Sequence, residues 1–216
     1  MVESTSTDYI DHLLSLVDWR RRTGDLYRLR AENQIEAFRA ARDELFKTHP
    51  QTPIEPAELP YFNGIEYFEP NPDYRVKAIF EPGDGSELVI ETGGEDGAIT
   101  YRKAGTLHFD LLGEPQTLTV LGLIQYGGGL FVPFKDATSG HETYGGGRYL
   151  FDTAKNTDGL VFEFELGQRE VWLDFNYAYH PSCTFSARWA CPLAPPENRL
   201  TIPVRAGEKL YRHPEL

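Results

Sequence analysis

Cysteine, methionine and positive charge are scarce in this sequence, and no long apolar run occurs in it. Two cysteines in 216 residues are too few for the disulfide scaffold of a small secreted domain. No apolar stretch approaches the ~20 residues that span a bilayer. Residues 1–20 carry acids and lack a basic segment ahead of an apolar one, so no signal peptide is expected. These absences predict a soluble cytoplasmic protein with reduced thiols and no membrane partner. Lys and Arg total 21 against 33 Asp and Glu, giving a net charge of −12 and a pI of about 4.9. So negative a surface repels phosphate backbones, which argues against nucleic acid as a partner. The plain reading of the acid excess is a solvated surface. Arginine exceeds lysine, a mix that suits a high-GC or a salt-adapted source alike.

What is present suffices for a core. Hydrophobic residues make up 40% and aromatics 13% of the chain, enough for one domain with an appendage. Residues 1–6 read as a frayed terminus. Thr7 or Asp8 can cap a helix whose apolar face is Ile10, Leu13, Leu14 and Val17, and Gly24 is expected to interrupt it. Ile35, Phe38, Ala41 and Leu45 mark a second helix, ended by Pro50 and Pro53. Both are expected to pack on the rest of the chain, with a partner-binding arm as the lesser alternative. Pro50, Pro53, Pro56 and Pro60 predict an extended connector.

From Tyr61 the pattern changes to short alternating runs between turn residues. Strands are expected at Tyr74–Phe80, Glu87–Thr92, Ile99–Lys103, Thr106–Leu112, Thr117–Gln125, Leu130–Phe134, Arg148–Phe151, Leu160–Leu166, Glu170–Phe175 and Leu200–Val204. Pro133 places Leu130–Phe134 at an edge or a strand end. The fold class is therefore mainly β, an antiparallel sandwich or barrel with an N-terminal arm of two helices. The arm takes residues 1–49 and the β domain residues 61–216.

The unusual chemistry gathers between Leu130 and Lys209. Gly127–Gly129 and Gly145–Gly147 lead into strand-like runs rather than helices, which favours hairpin turns over a phosphate cradle. Asp136, Thr138, Tyr144, Arg148, Asp174, Asn176 and Tyr179 form the candidate ligand-binding set. Arg148 can clamp a carboxylate or phosphate, or it can pair internally with Asp136 or Asp174. Asp174 and Asn176 should share a strand face with Trp172, lining a pocket or capping the following turn. Cys183 and Cys191 read first as buried structural thiols, with a loop disulfide as an alternative. Together with His180, and with His141 as a fourth group, they give only a weak metal signal. A cysteine nucleophile paired with either histidine is weaker still. Asn198, after a proline-rich run, is placed to fix its loop to neighbouring backbone. No cofactor motif is present.

The run Phe131-x-Pro-Phe134-x-Asp136-x-Thr138-x-Gly140, then Thr143-Tyr144 through Gly147-Arg148-Tyr149-Leu150, and Asp174-Phe-Asn176-x-Ala-Tyr179-x-Pro181-x-Cys183, form a recognisable set. Cys191-Pro192, Pro196-x-Asn198-x-Leu200 and Ala206-Gly207-Glu208-Lys209 continue it. These motifs resemble the prokaryotic domain-of-unknown-function family 1684, over roughly residues 35–210. The family's pattern usually has asparagine at the position of His180, which argues against a metal or catalytic role for that residue. The resemblance implies kinship without an activity. The residues themselves favour binding of a small polar or anionic molecule at one end of the β domain. The alternatives are a hydrolase with Asp136 or Asp174 as general base or with a divalent metal, and an interaction module whose cluster only staples loops. Whether the chain is an enzyme, and its oligomeric state, are left open.

Overall fold

Two helices lead into a curled antiparallel sheet of seven strands, a half-barrel. The computed structural model describes residues 6–31, 34–94, 97–125, 127–157, 167 and 169–214. Helix α1 spans Ser6–Ala31 and α2 spans Ile35–Thr48. The strands are β1 (Arg75–Pro82), β2 (Glu87–Glu91), β3 (Ala98–Leu111), β4 (Glu114–Leu123), β5 (Leu130–Phe134), β6 (Arg148–Asp152) and β7 (Glu170–Asp174). Their order is β6-β5-β4-β3-β1-β7, with β2 also paired to β3. Strand β3 organises the sheet. One edge pairs with β2 in its first half and β1 in its second, and the other edge pairs with β4 from Tyr101 to Leu111.

The inner face of the sheet carries Leu107, Leu118, Val120, Val132, Leu150 and Leu173, all buried. Leu26 and Tyr27 of α1 and Phe38 and Leu45 of α2 join the same cluster. On α2 the buried residues Phe38, Arg42, Leu45 and Phe46 recur at the spacing of one helical face.

Several expectations change. Helix α1 runs unbroken through Gly24, because Thr23, Leu26, Tyr27 and Arg30 around it are buried. Packing there outweighs the ~1 kcal/mol that glycine costs a helix. Ile10, Leu13, Leu14 and Val17, expected to face the domain, are exposed. The packed stripe of α1 is instead Trp19, Thr23, Leu26 and Tyr27. The two runs flanking Gly105 are one strand with a register shift between Lys103 and Gly105. A side chain at Gly105 would meet the Phe80 ring and the Glu81 carbonyl. Strand β5 lies inside the sheet, between β4 and β6, and a shift at Val132/Pro133 accommodates its proline. The connector at 50–60 folds into turns and a short 3-10 helix that bury Ile54, rather than extending. Leu200–Val204 forms no strand; Leu200 N–H instead donates to the Lys135 carbonyl at 2.8 Å. The strand expected at Leu160–Leu166 lies outside the described residues.

The segment from Val204 to Glu208 is held by buried charge. Arg148 opens β6 with its side chain wholly inside the protein. Its Nη2 donates to Asp136 Oδ2 at 2.9 Å and to the Val204 carbonyl at 2.7 Å. Its Nη1 donates to the carbonyls of Ala206 and Glu208. Asp136 Oδ1 accepts from Thr138 N–H and hydroxyl at 2.7 and 2.6 Å and from Val204 N–H at 3.2 Å. Gly207 is left-handed (φ +75), and a Cβ there would collide with the Ala178 carbonyl, so this turn requires glycine. Asn198, fully buried, closes a second gap. It pairs with both backbone groups of Thr119 (2.8 and 2.9 Å) and donates to the Pro133 carbonyl at 2.8 Å.

Replacing Arg148 by Met would remove the buried counter-charge of Asp136 and leave its Oδ2 and three carbonyls without the donors that Arg148 supplies. Removing one partner of such a buried pair costs roughly 3–5 kcal/mol. Urea unfolding of Arg148→Met should show a loss of that size, and a loss below about 1 kcal/mol, the level of an exposed pair, would refute the stapling role.

Candidate functional site

The loop Tyr177–Cys191 crosses the open end of the sheet toward the helices. Tyr179 and Tyr149 exchange backbone hydrogen bonds (2.8 and 3.0 Å), fastening the loop to β6. At its far end, Arg188 Nη2 donates to the carbonyls of Thr52 and Ile54, and Trp189 Nε1 to that of Pro53. The folded connector thus carries the loop at a fixed distance from α1. A cavity of about 170 Å³ remains between them.

Its apolar wall is Leu16, Trp19, Phe46, Phe185 and Trp189, with Tyr149 and Tyr179 alongside. Burial pushes both tyrosine hydroxyls well above the ordinary phenol range, so they remain neutral donors. Tyr149 donates to the Pro192 carbonyl at 2.6 Å, and the Tyr179 hydroxyl bonds to Thr157. The charged residues of the lining are Arg20, Arg42 and Lys155; no Asp or Glu lines it among the described residues. Thr23 Oγ1, also in the lining, is buried without a hydrogen-bond partner among the described residues.

Arg42 ties the cavity to the Val204–Glu208 segment. Its Nε donates to Glu208 Oε1 at 2.6 Å, and its guanidinium stacks over Phe46 at 4.4 Å and Tyr179 at 5.4 Å. Glu208 Oε2 accepts from His180 N–H at 2.7 Å. Burial opposes ionisation of Glu208, but Arg42 and His180 outweigh it and hold the carboxyl below its ordinary range. His180 is itself internal. Its Nε2 accepts from Tyr144 N–H at 3.1 Å, which puts the proton on Nδ1, 3.5 Å from Glu208 Oε2. Burial lowers its pKa, more than Glu208 raises it.

The seven candidate residues fall into separate groups. Asp136, Thr138 and Arg148 form the closed staple described above, and neither Asp136 oxygen faces the cavity lining. Asp174 ends β7 and caps the next turn, its Oδ1 accepting from Asn176 N–H and Nδ2 at 3.0 Å each. Strand β7 stops there, so period two does not carry on to Asn176, which instead pairs with the backbone of Asn71. Trp172 lies under Arg75 and Lys77. Tyr144 adjoins Cys183, 3.8 Å from its sulfur. Tyr179 lines the cavity, together with His180 and Cys191 from the weaker metal set. His141 is exposed, apart from the buried His180. Among the described residues no three His, Cys, Asp or Glu side chains converge as metal ligands, and no helix is long and apolar enough to cross a membrane. Trp19, Arg20, Thr23, Phe46 and Trp189 escaped the sequence reading. The helical spacing of Leu16, Trp19 and Thr23 was the available signal, overshadowed by the more apolar Ile10–Val17 face.

A histidine with a lowered folded pKa favours the folded state above its unfolded pKa of ~6.5, and that contribution is lost as pH falls below it. Thermal midpoints of the wild type should therefore drop more steeply from pH 7 to pH 5 than those of His180→Gln, which keeps an amide acceptor but cannot titrate. Parallel curves would show that His180 is not the titrating group.

Residues 60–209 match the family model described as a protein of unknown function, DUF1684. Helices α1 and α2, and with them Trp19, Arg20, Arg42 and Phe46, lie before the matched region. A solution NMR structure of an uncharacterised protein of Haloarcula marismortui is similar, at 39% identity and a TM-score of 0.61. It covers 82% of this chain and 93% of its own. No curated protein matches. The motifs around Asp136, Arg148 and Glu208 lie within the matched residues, and this chain belongs to the DUF1684 family of proteins of unknown function.

Proposed function

We propose that this protein binds a small anion with an apolar or aromatic body in the cavity between α1, α2 and the Tyr177–Cys191 loop. The observation that carries the reading is the lining. In a chain of net charge −12, its charged members are all cations, set in an aromatic wall. Arg42 is matched by Glu208, and Arg20 and Lys155 together face one acid, Asp152, whose Oδ2 lies 4.0 Å from Lys155 Nζ, so the rim keeps a net positive charge. Trp19, Phe46, Phe185 and Trp189 would hold the ligand body by area and ring stacking. The unpartnered Thr23 hydroxyl, with Thr157 and Tyr179 nearby, offers polar contacts that orient it. The volume, about 170 Å³, resembles the ~150 Å³ apolar cavity that admits benzene. A single ring or a short branched acyl group with one carboxylate or phosphate therefore fits.

Two of the three tryptophans, Trp19 and Trp189, line the cavity, so binding should alter intrinsic fluorescence. Titration with benzoate, phenylacetate and phenyl phosphate should give a saturable change for at least one of them, and neutral benzamide a weaker one. The double variant Arg20→Glu/Lys155→Glu should weaken the anion by roughly three- to tenfold, the scale of two rim charges. Equal binding of benzoate and benzamide, or no saturable response to any of the three anions, would sink the reading.

A further inference from the structure

Helices α1 and α2 pack antiparallel, and two ring contacts fix which of their residues face each other. Trp19 meets Phe46 with centroids 5.7 Å apart, and Tyr27 meets Phe38 at 5.0 Å. On each helix the residue midway between the two rings lies one turn, ~6 Å, from either. That residue is Thr23 on α1 and Arg42 on α2. The packing therefore sets Thr23 opposite Arg42, as a polar rung between two aromatic ones. Thr23, Arg42, Trp19 and Phe46 all line the cavity, whereas the buried Tyr27 and Phe38 do not. The polar rung thus stands at a closed end, and the space opens from it toward Trp19 and Phe46.

Both residues of the rung keep polar atoms that the fold leaves unused. Thr23 is 3% exposed, and its Oγ1 has no hydrogen-bond partner among the described residues. Arg42 donates from Nε to Glu208 Oε1 at 2.6 Å, and its two Nη groups donate to no described residue. The guanidinium is held in place by that bond and by the rings of Phe46 and Tyr179, 4.4 and 5.4 Å away. An arginine fixed in this way loses little freedom when it takes a ligand. Its Nη groups match the two oxygens of a carboxylate, and a buried hydroxyl without a partner gains from a ligand oxygen beside it.

Charge selects among the oxygen acids. Glu208 already balances Arg42, so the rung offers directed donors rather than free charge. At the rim, Arg20 and Lys155 against Asp152 leave a single net positive charge. One negative charge on the ligand is thereby balanced. The second charge of a phosphate monoester would lie uncompensated in a largely aromatic wall.

We infer that Thr23 and Arg42 are the recognition point for a monocarboxylate, which enters head first and lays its apolar body against Trp19 and Phe46, one turn along both helices. This inference rests on the anion-binding reading above and adds to it the class of the ligand and its direction.

Tryptophan fluorescence of the full chain reads the affinities at about pH 8, where phosphate monoesters are dianions. The wild type should bind benzoate at least about threefold more tightly than phenyl phosphate. Thr23→Val keeps the shape of the side chain and removes the hydroxyl. It should weaken benzoate roughly tenfold, the scale of a hydrogen bond to a charged group, while the thermal midpoint without ligand stays level or rises. A threonine that only supported the fold would lower that midpoint and leave the affinity unchanged. Arg42→Lys keeps a charge beside Glu208 but not the planar pair of Nη groups, and it should weaken benzoate by a similar factor. Circular dichroism checks that this variant is folded, and Thr23→Val decides alone if it is not. Wild-type affinity for benzoate in Thr23→Val would overturn the inference while leaving anion binding in place. Phenyl phosphate binding as tightly as benzoate would overturn the monocarboxylate class. A wild-type chain that gives no saturable response to either anion would overturn both this inference and the reading it rests on.

Discussion

The Glu208 carboxylate is the constraint on which the rest of this structure depends. It is wholly buried, and it joins three parts of the chain that share no β ladder: α2 through Arg42, the cavity loop through His180, and the Val204–Glu208 segment that carries it. That segment is gripped from the other side by Arg148, whose Nη groups take the carbonyls of Val204, Ala206 and Glu208. Two buried guanidinium groups and two buried carboxylates therefore act as one connected frame. Isolated, each of these charges would cost several kcal/mol in a dry interior. Paired and multiply hydrogen-bonded, they offset one another, and the geometry that satisfies them is narrow. Gly207 shows how narrow, since a side chain there would run into the carbonyls of Ala178 and Phe175.

This frame explains where the cavity lies. Arg42 holds α2 against Glu208, and Phe46, one turn further along α2, is thereby fixed as a wall. The opposite wall follows from Tyr179 and His180, set by Tyr149 and Glu208, and from Trp189, set by the connector. None of these contacts fills the space between the walls. A helix face and a loop that are each anchored elsewhere leave a gap rather than collapse. The polarity of the gap has the same origin. Two buried acids beside it are held in internal contacts, Glu208 with Arg42 and His180, and Asp152 with the turn at Ala154 and, at 4.0 Å, with Lys155 of the lining. Cations are what remain in the lining.

The strands were legible because period-two alternation and turn glycines survive in one sequence, and β5 and β6 appear close to where they were expected. Legibility failed where tertiary contacts decide. Pro133 lies inside the sheet because a local shift of register spares its missing N–H. Leu200–Val204 has the composition of a strand but gives its backbone hydrogen bonds to Lys135 and the Asp136 side chain. The staple was visible in part. Arg148 and Asp136 stood out as a possible internal pair, whereas Glu208 did not, because its partner Arg42 is 166 residues away in the chain. The cavity was the least legible feature. Its walls come from α1, α2, the connector and the late loop, and no local pattern announces that Trp19, Phe46 and Trp189 converge.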